Sequence, residues 1–126
     1  MCIRDRLITP QYGPRVRLCK IFTDLPLKPD QPIEFGVKDF CRKCKLCAKF
    51  CEAGAISMDD EPSFETKCRS NNPGVLKWYV NVERCYLYWC ENGIDCSTCI
   101  KVCPYNAMTA AKTEVSPQEF WERSNK

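Results

Sequence analysis

Cys96-Ser-Thr-Cys99-Ile-Lys-Val-Cys103-Pro104 decides the fold, together with its earlier counterpart Cys41-Arg-Lys-Cys44-Lys-Leu-Cys47-Ala-Lys-Phe-Cys51. Cysteines separated by two residues and then by three, with a proline after the last, are typical ligands of a bacterial-type iron–sulfur cluster. The tight loop surrounds one face of a 4Fe–4S cube, and in two-cluster proteins the last cysteine of each run ligates the other cube. Two runs therefore predict two 4Fe–4S clusters.

The two runs also align beyond their cysteines. Cys51-Glu-Ala-Gly-Ala-Ile-Ser57 corresponds to Cys103-Pro-Tyr-Asn-Ala-Met-Thr109, so the chain contains an internal repeat. A four-cysteine zinc site would use two pairs of cysteines rather than a triplet and a fourth. A disulfide framework does not favour repeated two-residue gaps, although the total of twelve cysteines is even. The repeat therefore favours clusters over either alternative.

The composition limits the class of protein. The 126 residues suffice for one domain. Much of the 44% hydrophobic share is cysteine, so the core is expected to be small and metal ligation to supply stability. The absence of histidine excludes Rieske ligation, mixed cysteine–histidine zinc fingers and Ser-His or Cys-His catalytic pairs. A net charge of 19 − 16 = +3 is too mild to indicate nucleic-acid binding. No apolar run approaches membrane-spanning length, and no signal peptide is visible.

The charge is concentrated at the first ligand run. Four basic side chains lie among its cysteines: Arg42, Lys43, Lys45 and Lys49. They would either stabilise an anionic cluster or dock an acidic electron donor, or they would simply form a solvated face. The sequence leaves these alternatives open.

The first ligand of the second run is ambiguous, because neither Cys85 nor Cys90 lies at a two-residue gap before Cys96. Residues 75–82 alternate between apolar and polar side chains, which predicts a strand leading into Cys85. A cysteine at the end of a strand is held rigidly, so Cys85 is favoured over Cys90. Cys19, Cys68 and the remaining member of the pair are predicted to be buried thiols.

We expect an α+β fold: a small, bacterial-ferredoxin-like domain with two 4Fe–4S clusters and irregular loops, preceded by a strand and a linker. Residues 1–6, with the sequence Met1-Cys-Ile-Arg-Asp-Arg6, resemble a translated sequencing adapter. They are predicted to be an artefact rather than a genuine frayed terminus, so that Cys2 has no function. Residues 7–36 contain a predicted strand, ending at residue 22, and a proline-rich linker. Residues 37–112 form the cluster domain, and a capping box at Ser116-Pro-Gln-Glu119 begins a C-terminal helix in residues 113–126.

The chain resembles the C-terminal end of corrinoid-dependent reductive dehalogenases. Besides the first ligand run, the matching stretches are Tyr12-Gly-Pro-Arg-Val-Arg17, Phe22-Thr-Asp-Leu-Pro-Leu27, Asn72-Pro-Gly-Val-Leu-Lys-Trp-Tyr79 and Cys85 to Pro104. This resemblance covers nearly everything after residue 6. Epoxyqueuosine reductase, which shares a Thr-Asp-Leu stretch and also uses a corrinoid and two clusters, is an alternative family.

The resemblance implies an electron relay that passes electrons through two 4Fe–4S clusters to a corrinoid, which removes halide from organohalides. By position, one cluster would be held by Cys41, Cys44, Cys47 and Cys103, and the other by Cys85, Cys96, Cys99 and Cys51. Glu52 stands where the family often has proline, so a looser exit from the first loop is expected. The family's corrinoid-binding core and tyrosine proton donor would lie upstream of residue 1, and residues 7–36 would include a remnant of that core. The chain should then contain no catalytic residue and be inactive alone.

The implied partners are an upstream corrinoid domain, an electron donor protein or quinol system, and a small membrane anchor protein. The implied location is the outer face of the cytoplasmic membrane, after export. A free-standing two-cluster ferredoxin is the alternative from a different class. It has no use for the unpaired strand and proline-rich stretch between residues 7 and 32, and those features therefore favour the enzyme.

Overall fold

The computed structural model describes residues 2–3, 6–31, 33–106 and 119. Two short strands, β1 (Cys2–Ile3) and β2 (Arg6–Leu7), pair antiparallel, with Cys2 opposite Leu7. Four helices follow: α1 (Val37–Cys44), α2 (Leu46–Lys49), α3 (Val82–Asn92) and α4 (Thr98–Lys101). The described chain is thus ferredoxin-like in consisting mostly of helices and loops, with little strand. None of its helices is long and apolar enough to cross a membrane.

The first two helices are one ligand-bearing segment broken at Lys45. Lys45 has a φ of 51°, a left-handed conformation that costs a residue with a side chain roughly 1–2 kcal/mol. The break ends α1 at Cys44 and lets α2 begin in a new direction, with the amide of Lys49 donating to the carbonyl of Lys45 at 2.9 Å. This turn brings Cys44 and Cys47 to the same cavity.

Two small clusters of buried side chains form the core. The first consists of Ile8, Val37 and Trp78, with Cys41 packed against it. The second consists of four side chains that surround the end of the first ligand run: Ala48, Ala55, Ile56 and Val80. Cysteines of both runs pack against this second cluster, namely Cys47, Cys51, Cys85 and Cys99. The apolar core is therefore small, as predicted, and it directly adjoins the thiols.

The predicted strand from residue 7 to residue 22 is wrong beyond its first residues. After β2 there is only an isolated bridge between Thr9 and Gly13, and residues 16–22 contain no strand. Leu18, Ile21 and Phe22 are exposed, Phe22 by 93%. A strand needs a neighbour to satisfy its backbone groups, and no neighbouring strand lies beside these residues in the described part of the chain.

The predicted strand over residues 75–82 is also wrong. Only Lys77 and Val80 form bridges, to Ser63 and Ile56 respectively, and α3 already begins at Val82. The alternating pattern fails because Trp78, Tyr79 and Val80 are all buried. Cys85 therefore lies within a helix rather than at the end of a strand.

Residues 8–15 pack on the second ligand run. Ile8 belongs to the first core cluster, and the Arg15 Nε donates to Asn106 Oδ1 at 3.4 Å. Gly13, with φ 56°, lies so close to Tyr105 that an added Cβ would be 1.7 Å from its carbonyl oxygen. This approach requires glycine. The predicted C-terminal helix in residues 113–126 lies outside the described residues, apart from helical Glu119.

Candidate metal centre

Five thiols line a first cavity. Cys41 and Cys44 come from α1, Cys47 comes from α2, and Cys99 and Cys103 come from the second run. Pro104 and Tyr105 complete the wall on the side of the second run. The structure therefore brings together the four residues predicted for one cluster, Cys41, Cys44, Cys47 and Cys103. The fourth of these comes from the opposite run.

A second cavity, of about 310 Å³, is lined by Cys51, Cys85, Cys96 and Cys99. These are the four cysteines predicted for the other cluster, again with one contributed by the opposite run. Cys99 faces both cavities. Ala53 and Ile56 contribute apolar wall to the second cavity. Two sets of four thiols are thus assembled from two runs that exchange their last cysteines.

Cys85 rather than Cys90 reaches the second cavity. Both lie on α3, but Cys90 is exposed and does not line the cavity. The helix begins at its N-cap Asn81, whose side chain accepts from the Arg84 amide at 2.9 Å. The amide of Asn81 donates to the Ala55 carbonyl at 2.8 Å, which ties the start of α3 to the loop after Cys51. Cys85 is therefore held one helical turn beyond a fixed point.

Cys19, Cys68 and Cys90 lie outside both cavities. The prediction that they are buried is wrong for Cys19 and Cys90, which are exposed, while Cys68 is half-buried. Cys19 lies in the exposed segment that lacks a strand, and Cys90 lies on the outer part of α3. All eleven cysteines whose side chains are described carry thiols rather than disulfides.

Burial dominates the electrostatics of the thiols. It raises the pKa of Cys103 to about 12, although a backbone hydrogen bond at Tyr105 opposes the shift. Burial also raises the pKa of Cys99 and of Cys85, and the neighbouring Cys51 adds to the effect at Cys85. Metals bind thiolates. Each buried thiol would thus lose its proton as a metal binds, so assembly of the centre is coupled to proton release.

Arg6 lies between the two sets of thiols. Its side chain lines both cavities and its guanidinium donates to Cys99 Sγ, which lowers the pKa of that thiol against the effect of burial. Its Nε–H is buried without a hydrogen-bond partner. An unsatisfied cationic donor is compatible with an anionic group among the thiols. That residues 1–6 are an adapter artefact stays a prediction.

Two of the four basic side chains of the first run form ion pairs with nearby carboxylates. Arg42 pairs with Glu61 at 3.0 Å and with Asp39 at 3.4 Å, and Lys45 pairs with Asp60. These pairs lie at the surface, where an ion pair contributes about 0–1 kcal/mol. At Arg42 and Lys45 the positive charge is thus partly compensated within the chain, which favours a local structural role over docking of an acidic protein.

The donor set fits iron–sulfur clusters. Soft thiolates select zinc, copper(I) and iron–sulfur clusters rather than hard cations. Within the described ranges, no group of three or more cysteine or carboxylate side chains is arranged to hold a single metal ion. In a 4Fe–4S cube, each thiolate binds its own iron at a separate corner, so the ligands surround a cavity instead of converging on one point. Cysteines of both runs line each of the two cavities.

Two runs that exchange their last cysteine define a two-cluster iron–sulfur protein. A family described as "4Fe-4S dicluster domain" matches residues 40–107, and the chain belongs to this family.

Its relatives are more specific. The chain is 45% identical, over 113 residues, to a tetrachloroethene reductive dehalogenase of Desulfitobacterium hafniense, an alignment that covers 87% of this chain and 20% of the relative. It is 46% identical over 98 residues to a tetrachloroethene reductive dehalogenase of Sulfurospirillum multivorans, covering 78% and 19%. An epoxyqueuosine reductase of Listeria monocytogenes is 31% identical over 106 residues, covering 79% and 24%. The resemblance to reductive dehalogenases is confirmed, and the chain spans about a fifth of their length.

Sequence reasoning missed the side chains that surround Glu52. The carboxylate of Glu52 accepts a hydrogen bond from the Tyr88 hydroxyl of α3, and Thr98 of α4 lies at its other oxygen. The signal was present in the sequence, because Glu52 interrupts the repeat where the second run has Pro104. What the sequence could not provide was the identity of its partners, which lie 36 and 46 residues away.

Proposed function

We propose that this chain is the electron-relay part of a reductive dehalogenase. In this proposal Cys41, Cys44, Cys47 and Cys103 hold one 4Fe–4S cluster, and Cys85, Cys96, Cys99 and Cys51 hold the other. Such clusters supply one-electron transfer when bound. The observation that carries the proposal is the assembly of two thiol-lined cavities, each lined by cysteines of both runs.

The chain's own residues would hold the thiolates and limit the access of water. Ala55 and Ile56, both buried, pack against Cys51 and Cys85 at the second cavity. Val37 packs against Cys41 at the first. Apolar surroundings and solvent exclusion are among the features by which a protein sets the potential of such a site.

An exposed apolar segment supports an association with a larger protein. Between residues 18 and 33 six large apolar side chains are exposed, namely Leu18, Ile21, Phe22, Leu25, Leu27 and Ile33. Large exposed apolar patches on a soluble protein mark surfaces that contact something else. A free-standing ferredoxin has no need of such a segment, whereas a relay packed against another domain of the same protein has.

The electron acceptor in this proposal is a corrinoid bound by an upstream domain of the same protein, as the resemblance to reductive dehalogenases implies. An electron donor protein or quinol system would supply the electrons. A small membrane anchor protein would hold the full-length enzyme at the outer face of the cytoplasmic membrane. The alternative is that the chain is part of an epoxyqueuosine-reductase-like enzyme. The sequence identity to such an enzyme, 31%, is lower than the identity to the reductive dehalogenases.

Anaerobic reconstitution tests the proposal directly. The chain is incubated with iron, sulfide and reductant, desalted, and assayed for iron and acid-labile sulfide. Two cubes require about eight of each per chain. Electron paramagnetic resonance (EPR) of the dithionite-reduced protein should show two interacting centres. Tight zinc binding without sulfide would contradict the assignment.

A further inference from the structure

Glu52 and Pro104 occupy equivalent positions in the repeat, each directly after the last cysteine of its run. Pro104 is buried and lines the first cavity. Glu52 is exposed and lines the second. Proline restricts the chain through its own ring. A glutamate at the same place can fix the structure only through its contacts.

Those contacts join three segments that carry the second set of thiols. Glu52 itself follows Cys51 in sequence. One carboxylate oxygen accepts from the Tyr88 hydroxyl on α3, the helix of Cys85. The other lies 3.5 Å from Thr98 Oγ1, a long contact, and this same hydroxyl oxygen lies 3.4 Å from Cys96 Sγ.

Helix α3 needs such contacts because it has no buried residue. Apolar packing, which holds most helices in place, reaches this helix only through partly buried side chains such as Cys85, which packs against the second core cluster. The amide of Asn81 fixes the start of the helix to Ala55, and Tyr88 fixes its second turn to Glu52. Cys85 lies between these two points. In addition, ten residues separate Cys85 from Cys96, so the tight loop of the run does not position Cys85.

We propose that Glu52 and Tyr88 form a clamp that positions α3, and with it Cys85, at the second cavity. The proposal rests on the proposed function, since it concerns the retention of a cluster by the second set of thiols. The clamp restrains the backbone after Cys51, as the ring of Pro104 restrains the backbone after Cys103. The hydrogen bond to Glu52 also raises the pKa of Tyr88 to about 12.

The test compares the rate at which an iron chelator removes iron from the reconstituted full chain. In Tyr88→Phe and in Glu52→Ala, about half of the iron should leave about ten-fold faster than it leaves the unmodified chain. Substitutions of residues that position a metal ligand without binding the metal weaken metal binding to this extent. The other half should leave at the unmodified rate. The matched controls are Tyr86→Phe and Glu91→Ala, exposed residues of the same helix that do not line the second cavity.

Two further variants separate a clamp from a general loss of stability. Glu52→Gln keeps an acceptor oxygen for Tyr88, so it should retain iron nearly as well as the unmodified chain. The double variant Glu52→Ala/Tyr88→Phe should lose iron no faster than either single variant, because the two residues act as a unit. In EPR spectra of the reduced Tyr88→Phe protein, only one of the two centres should be altered.

The outcomes distinguish this inference from the proposed function. An unmodified chain that takes up no iron and sulfide refutes the proposed function. The clamp alone is refuted if the unmodified chain holds two clusters but Tyr88→Phe and Glu52→Ala release iron no faster than the control variants. Additive effects in the double variant, or rapid release from Glu52→Gln, would also refute it.

Discussion

At the scale of single residues, the choice between Cys85 and Cys90 is the sharpest question. Cys85 lines the second cavity and is partly buried, whereas Cys90 is exposed on the same helix. Substituting an oxygen for a ligand sulfur weakens an iron–thiolate site, while the same change at the surface does not touch it.

Cys85→Ser should therefore reduce the iron content of the reconstituted chain from about eight to about four per chain, with Cys90→Ser unchanged. Iron and sulfide assays on the two variants, prepared side by side, provide the measurement, and Cys68→Ser serves as a second control. Loss of a cluster in Cys90→Ser but not in Cys85→Ser would place the ligand one turn further along α3.

Part of the candidate ligand set could be predicted from the sequence because ligand spacing is a local property. A tight loop around a cube requires cysteines two residues apart, so the sequence alone indicates Cys41, Cys44, Cys47, Cys96 and Cys99 as ligands. Cys85 was favoured for the wrong physical reason, since its rigidity comes from a helix capped by Asn81 and not from a strand. Glu52 was recognised as unusual, but its hydrogen bond to Tyr88 depends on tertiary structure.

At the scale of elements, the turn at residues 9–13 determines how the N-terminal segment meets the second ligand run. Thr9 and Gly13 exchange two backbone hydrogen bonds, of 3.0 and 2.9 Å. Gly13 lies in close contact with the backbone of Tyr105, which is two residues after Cys103. A side chain at this point has no space, and the φ of 56° is itself unfavourable for any residue but glycine.

Gly13→Ala should therefore push the turn away from the exit of the second run and accelerate loss of the first cluster to a chelator. We expect it to lower the free energy of unfolding of the reconstituted chain by more than the roughly 1–2 kcal/mol of the left-handed conformation alone. Gly74→Ala is the matched control, because Gly74 also has a positive φ, 91°, but an added Cβ meets nothing within 4 Å. Equal losses in the two variants, measured by thermal or denaturant unfolding, would show that the contact with Tyr105 is unimportant.

The elements were less predictable than the ligands. Alternation over residues 75–82 indicated a strand, yet only two residues form bridges, and the consecutive residues Trp78, Tyr79 and Val80 are all buried. The Tyr79 hydroxyl donates to the Asn72 carbonyl at 3.0 Å, so a polar group inside the structure is satisfied by a loop. Two-residue periodicity describes a strand only when a neighbouring strand is available, which a single sequence does not reveal.

At the scale of the whole molecule, the contribution of the first six residues can be tested by deletion. Arg6 reaches the thiols, but all eight candidate ligands, and every other described residue that lines the two cavities, lie after residue 6. If residues 1–6 are an artefact, a chain beginning at Leu7 should bind the same eight irons and show the same EPR spectrum. Loss of one cluster in the shortened chain, reproduced by Arg6→Gln in the full chain, would instead make Arg6 part of the centre.

The relay domain alone is not expected to catalyse the removal of halide. Reductive removal of halide by a corrinoid requires a site that encloses this large cofactor, and cofactor sites are largely apolar cavities that bury most of their ligand. The two cavities described above are lined by cysteines that the clusters require.

The reconstituted chain should therefore accept electrons from dithionite and pass them to a redox dye. It should release no more chloride from tetrachloroethene than free cobalamin does under the same reductant, measured by ion chromatography. The same chain with its clusters removed is the control for adventitious iron. Chloride release that depends on the clusters and saturates with tetrachloroethene would show that these 126 residues contain the reactive site as well as the relay.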